Sequence, residues 1–365
     1  MGNTHRMSEN EKKLLNAIGT FPEISVKELF TYTSYKWTGT VLRKLNQFKK
    51  QYLTWGPIYD IDYGKLCRNP LCLLYCVLEL AQDYELAISF LRLIEPLRWV
   101  FPVLSPHKEL LNVGFLSSHT TKMKGLLKLL KDSGIITDYI VRVSHCRVMM
   151  ENPNFFGDFN PPLNHLLDPC ELPHMSLGCH DTDWNECDLR ILPYLQTGFK
   201  GAKLIEILRE ERKLNRTWTY EQVKYSREKM IRNGLIEKKY SVFPFPPHQC
   251  ASFILFLETE DTALTHTILH NFAKGGQVHK KYTLCEDWGL IACVSHPQFL
   301  TELMYNLDKV DEITKKELYQ LRSFPPGKYY FDQPIELRYY NFDKQTLEYP
   351  YHLYREKIKE NLELK

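Results

Sequence analysis

The 365-residue chain has no long apolar run; its longest, Leu71 to Leu78, is far too short to cross a bilayer. The start, Met1 to Lys13, is polar and has no secretory-type apolar stretch. Arg6 stands where an N-myristoylation motif needs Ser or Thr. There is no phosphate loop, dinucleotide-binding glycine fingerprint or nucleophile elbow, so no sequence feature supports those forms of catalysis. Net charge is also scarce. Forty-seven Lys and Arg against 44 Asp and Glu leave +3, so any polyanion partner must be argued from where charges sit. The 10 cysteines are scattered and include no Cys-x2-Cys pair. Without an export signal, that pattern predicts reduced thiols and a cytoplasmic protein, with no membrane association.

What is present is ordinary globular composition, 44% hydrophobic and 25% charged, enriched in aromatics with 22 Tyr and 19 Phe. This length predicts more than one core. From Ser8 the spacing of Leu14, Leu15 and Ile18 predicts a helix closed by Gly19. Ser25 and Glu28 form a capping box that opens a second helix. Tyr35 to Gln51 predicts a third, with Val41, Leu45 and Phe48 on one face. Tyr52 to Asp62 then predicts a β-hairpin turning at Gly56-Pro57, so the whole reads as a winged helix-turn-helix. Beyond it, strand Leu71–Leu80, helix Tyr84–Leu97, strands Val100–Ser105 and Leu110–Ser117, helix Lys122–Ser133 and strand Ile135–Val143 give a βαββαβ plait.

The same order returns. Helices at Asp188–Thr197, Ala202–Glu211 and Thr219–Asn233 precede a wing at Gly234–Phe243. A second βαββαβ series then runs from Ala251 to Arg322. Trp37-Thr38 opens the third helix of one copy and Trp218-Thr219 that of the other; both Trp are expected to be packing anchors. The expected fold is therefore α+β, two tandem units each made of a winged helix-turn-helix and a ferredoxin-like domain. The expected boundaries are 1–65 and 66–150 for the first unit, a linker at 151–185, 186–247 and 248–323 for the second, and an extension at 324–365.

This order, and the passage from third helix through wing into first plait strand at Asn46–Leu80, resembles the Lrp/AsnC family of transcriptional regulators, in an archaeal-type tandem fusion. The resemblance implies a sequence-specific DNA-binding regulator that is not an enzyme and needs no cofactor. It also implies double-stranded DNA as partner, a possible small-molecule effector, an intramolecular pseudo-dimer and further homo-oligomers. The chain lacks that family's glycine-rich stretch beside the effector. On the third helices and their approaches, the candidate DNA contacts are Ser34, Lys36, Thr38, Thr40, Arg43 and Lys44, then Arg216, Thr219, Lys224 and Arg227. Between Ser34 and Gln51 there is no acid; in the second copy Glu221 and Glu228 intervene.

Two further readings compete. Siroheme decarboxylases share the architecture; an enzyme of that kind would place Arg142, His145, Arg147, His279 and Lys280 near a tetrapyrrole's carboxylates. Alternatively, the winged helices serve as protein-interaction modules. Cys170, His174, Cys179, His180 and Cys187 have zinc-type chemistry, but their spacing matches no standard finger, so no metal is expected. Cys67, Cys72, Cys76, Cys250, Cys285 and Cys293 are expected in or beside strands as core residues, and His107 has no visible catalytic partner.

Overall fold

The computed structural model describes residues 7–322 and 331–364. Helix α1 (Glu9–Thr20) starts at a capping box between Ser8 and Glu11, and α2 (Val26–Thr31) at one between Ser25 and Glu28. Helix α3 (Thr38–Lys50) buries Val41 and Phe48 against Leu14, Leu15, Ile18 and Leu29. The capping acid also serves the tertiary fold. Glu11 accepts from Lys44 of α3 at 2.7 Å, so one carboxylate closes a helix end and ties two helices together.

Strand β1 (Thr54–Ile61) corrects the first expected wing. It runs on past Gly56-Pro57, where the ladder is interrupted by a bulge, rather than turning back as a hairpin. Short helix α4 (Tyr63–Leu66) leads into β2 (Cys72–Leu80), α5 (Tyr84–Leu91), β3 (Leu97–Val103), β4 (Leu110–Ser117), α6 (Thr120–Asp132) and β5 (Ile136–Ser144). Strand β6 (Met149–Glu151) begins the connection to the second unit. There, α7 (Glu186–Thr197), α8 (Leu204–Lys213) and α9 (Tyr220–Arg232) precede β7 (Ile236–Val242). The second plait is β8 (Ala251–Thr259), α10 (Thr262–Asn271), β9 (His279–Cys285), β10 (Trp288–Ser295), α11 (Pro297–Leu307) and β11 (Ile313–Gln320). Each unit thus has three helices, a strand and a βαββαβ plait. The tail adds β12 (Phe331–Asp332), β13 (Tyr340–Asn341), β14 (Thr346–Leu347) and α12 (Tyr351–Glu363). Positions 324–330 of the expected extension, and Ser323 before them, lie outside the described residues.

The second expected wing is corrected by the same fact as the first. Strands β1 and β7 pair antiparallel with each other, Tyr59 opposite Lys238 and Ile61 opposite Ile236. Each strand has apolar residues enough for one buried face and no local partner for its backbone. Pairing across the units satisfies both needs.

The plait sheets run β12-β3-β4-β2-β5 and β11-β8-β10-β9-β6. Helices cover one face of each, and the other faces meet. Arg142 of β5 lies between the rings of Phe256 and Trp288, 4.2 and 3.9 Å from their centres, and pairs with Glu317 at 2.9 Å. The linker is an ordered strap. Asn152 bonds the carbonyls of Gly19 and Tyr240 and the amide of Val242, while Phe155 plugs into the first winged helix.

Candidate functional site

The predicted DNA contacts of the first copy fall into two groups. Ser34, Lys36, Thr38 and Arg43 are exposed, and Thr40 is half-buried. Lys44 is turned inward to Glu11. Trp37 corrects its assignment as an anchor: it is 74% exposed at the start of α3. Arg43, Asn46, Gln47 and Lys50 line a shallow surface depression. Asn46 and Gln47 are the residues that sequence reasoning passed over. Their spacing of three and four from Arg43, with Lys50 one further turn along, was the available signal. The product is an acid-free stretch with four exposed cations, Lys36, Arg43, Lys49 and Lys50, an indole, and amides able to meet phosphate oxygens and base edges.

The second copy differs. Arg216 pairs with Glu186 at 2.7 Å, and Thr219 caps α9. Arg227 is half-buried beside Tyr59, and Lys224 is also half-buried. Lys229 reaches the capping acid Asp188 at 2.8 Å, repeating the tie between Lys44 and Glu11. The exposed residues of α9 are instead Tyr220, Glu221, Gln222, Tyr225, Glu228, Ile231 and Arg232, one cation against two acids. Trp218 is partly buried against the core, as an anchor should be.

A second group of charged residues gathers around Asp60 of β1 and Asp332 of β12. Asp60 of β1 keeps water-accessible surface, yet desolvation is the largest influence on its carboxyl and raises its pKa. Lys281, Lys239 and Arg147 oppose that rise and Glu237 adds to it. Asp332 of β12 shows the same combination, with Arg98 and Lys281 as its cationic neighbours. Both carboxyls thus keep contact with water while the atoms packed around them raise their pKa. Tyr63 joins the group, held by Gln196 and raised by burial, and so does Tyr75, raised well above the ordinary phenol range by burial.

These charges are unevenly matched. Glu237 is answered by Arg147 at 3.2 Å and by Lys239 at 2.5 Å. Arg98 is 7% exposed and donates to Gln196 at 3.3 Å, while among the described residues its Nε has no hydrogen-bond partner. Lys281 has no carboxylate within ion-pair distance among the described residues. Sequence reasoning missed Asp60, Tyr63, Arg98, Lys281 and Asp332, because they come from five separate elements and share no motif.

The residues singled out for tetrapyrrole chemistry do not assemble. Lys280 donates to the carbonyls of His270 and Phe272 at 2.6 Å each and pairs with Glu151. His279 is buried against Phe243 and Asn152, and desolvation pushes its pKa down to about 3. Arg142 is clamped between rings, and His145 is exposed. Only Arg147 reaches the charges around Asp60. Among the described residues no three metal-ligating side chains gather; Cys187 lies on α7 against Ser226 of α9, while Cys179 is exposed. No helix among them is long and apolar enough to cross a membrane.

No family model matches the chain. No curated protein matches it either. Among solved structures it is similar to the siroheme decarboxylase NirDL, at 14% identity and TM-score 0.49, over 97% of this chain and 99% of that one. The same enzyme in complex with an iron-uroporphyrin III analogue is similar at 13% identity and TM-score 0.49, with the same coverage. AsnC of E. coli is similar at 13% identity and TM-score 0.28, over 38% of this chain and 91% of that one. The order of elements in each unit, helix-turn-helix and then βαββαβ, is the order that the sequence predicts.

Proposed function

We propose that the chain is a DNA-binding regulator that meets the duplex chiefly through the first winged helix. The observation that carries this reading is the acid-free surface of α3 and its approach, with Arg43 and Lys50 exposed on the helix and Lys36 and a 74% exposed Trp37 just before it. An exposed indole among cations is costly to keep on a free surface and marks a face that meets a partner. The second winged helix contributes position rather than charge, because Arg216 and Lys229 already hold acids of their own unit. Arg227 and Lys229 are therefore poor places to test DNA contact, and reversing Lys44 would break the Glu11 tie and report on stability instead.

The test is duplex retention in low-salt gels with Arg43→Glu, Lys50→Glu and the pair together. Three phosphate contacts predict a salt slope near about −3 on logarithmic axes, reduced by about one for each cation reversed. Retention by the double variant equal to that of the parent chain would end the regulator reading. The tetrapyrrole-decarboxylase alternative has a separate check. Incubation with siroheme followed by gel filtration should leave the protein colourless, since Lys280, Arg142 and His279 are engaged internally.

A further inference from the structure

We propose that the first winged helix takes duplex DNA carrying a short unpaired stretch, with Trp37, Tyr52 and Trp55 stacking on the open bases. This rests on the regulator reading and deepens it: the cations hold the backbone, and the rings select the form of DNA that is held.

The placement of the rings is the first support. Trp37 stands immediately before α3, and Tyr52 and Trp55 follow within five residues of its end. All three are exposed, by 74%, 57% and 55%. Between them Arg43, Lys49 and Lys50 are exposed too, and no acid occurs from Leu29 to Tyr59. Cations that meet phosphates, with rings that stack on bases, make up a surface for nucleic acid with open bases. In a fully paired duplex each base face is already covered by its neighbours, and uncovering one costs stacking energy. A paired duplex therefore engages the cations and leaves the rings in water, whereas an open stretch engages both. The 13 residues of α3 hold its two ends about 20 Å apart. That span equals about six base steps of about 3.4 Å, which sets the length of the open stretch.

The second support is that the fold does not ask for these rings. Helices α1, α2 and α9 begin on Ser8, Ser25 and Thr219, whose side chains accept from the helix amides. Helix α3 begins on Trp37, which makes no such bond, although Ser or Asp there would stabilise the helix start. The matching Trp218 of the second unit is packed partly buried against the core, so an outward indole is not a requirement of the architecture. Tyr52 closes α3 with a left-handed backbone, φ 56°, its amide donating to the carbonyl of Lys49 at 3.1 Å. Glycine or asparagine adopts that conformation at less cost than tyrosine. Two positions at opposite ends of one helix thus give up stability to hold a ring in water, which a stacking partner would offset.

The experiment measures, by fluorescence anisotropy, binding of the full chain to two labelled DNAs of about 30 base pairs, one fully paired and one with about six central positions mismatched. The mismatched DNA should bind about tenfold or more tightly than the paired one. Trp37→Ala with Trp55→Ala should bring the two affinities to within about twofold of each other, whereas Trp37→Phe, which keeps a ring, should retain the preference. Circular dichroism melts check that the alanine pair is folded; if it is not, Tyr52→Ala carries the test, read as a reduced preference. Arg43→Glu with Lys50→Glu should weaken binding of both DNAs. No binding of either DNA by the parent chain would end the regulator reading and this inference with it. Equal affinity of the parent chain for the two DNAs, or a preference that the alanine pair keeps in full, would overturn the stacking surface and leave the regulator reading in place.

Discussion

His279 shows how much one enclosed side chain can weigh on pH dependence. Burial is the main cause of its lowered pKa, Lys281 adds to it, and the folded chain keeps the imidazole neutral down to about 3. The unfolded chain takes up the proton near the ordinary 6.5. Stability from this group is therefore complete above 6.5 and declines as pH falls from there toward 3. By pH 5 the loss is about 2 kcal/mol. Thermal melts at pH 7.5 and pH 5 should show His279→Gln, which can still bond Asn152, losing less stability on acidification than the parent chain. An equal loss in both would mean that His279 is not the group being titrated. Asp60 and Asp332, whose carboxyls are raised, act in the opposite sense at lower pH, which is why the difference between the two chains is the quantity to read.

Among the elements, the two-stranded ribbon decides the most. Tyr59 is buried where β1, β7 and Arg227 of α9 come together, so its ring serves both units. Replacing Tyr59 with Ala should cost about 3 kcal/mol. The location of the damage is the sharper prediction: limited proteolysis should open sites in both winged helices at once. Cleavage confined to the first would show that the ribbon does not couple them. The third helices came out unequal despite similar cation counts because of the acids on α7. Arg216, ahead of α9, and Lys229 of α9 pair with them, whereas in the first copy Lys44 is drawn to Glu11 and Lys36, Arg43, Lys49 and Lys50 stay exposed.

At the scale of the whole molecule, the cores ignore the repeat. One cluster joins Leu74 and Val113 of the first plait to Leu192 and Met230 of the second winged helix, Phe256 of the second plait and Tyr354 of the tail. A second joins the first winged helix to Phe155 of the linker and Val242 of β7. Neither unit can bury its apolar faces alone. Residues 1–150 expressed by themselves should bind hydrophobic dyes and self-associate through the bare β1 edge. Co-expression with 151–365 should restore a soluble one-to-one complex. A monomeric, cooperatively melting 1–150 fragment would refute the interleaved core.

The capping boxes at Ser8, Ser25 and Thr219, the alternating and helical spacings, and the recurrence of element order were determined by the sequence alone. Those signals are local: a serine hydroxyl finds an amide three residues away whatever the rest of the chain does. Tertiary structure decided the rest. Whether Tyr52–Asp62 made its own hairpin depended on a strand 180 or so residues distant offering a buried face, and long-range pairing overrode a local turn signal. Whether a lysine on a third helix reached water or an acid depended on which helix packed beside it, as Lys44 and Arg43 show at adjacent positions. The charge cluster around Asp60 and Asp332 was hidden for the same reason. Arg98, Lys281, Asp60 and Asp332 influence one another only once strands from two sheets, the ribbon and the tail pack together, and desolvation has no sequence signature until they do.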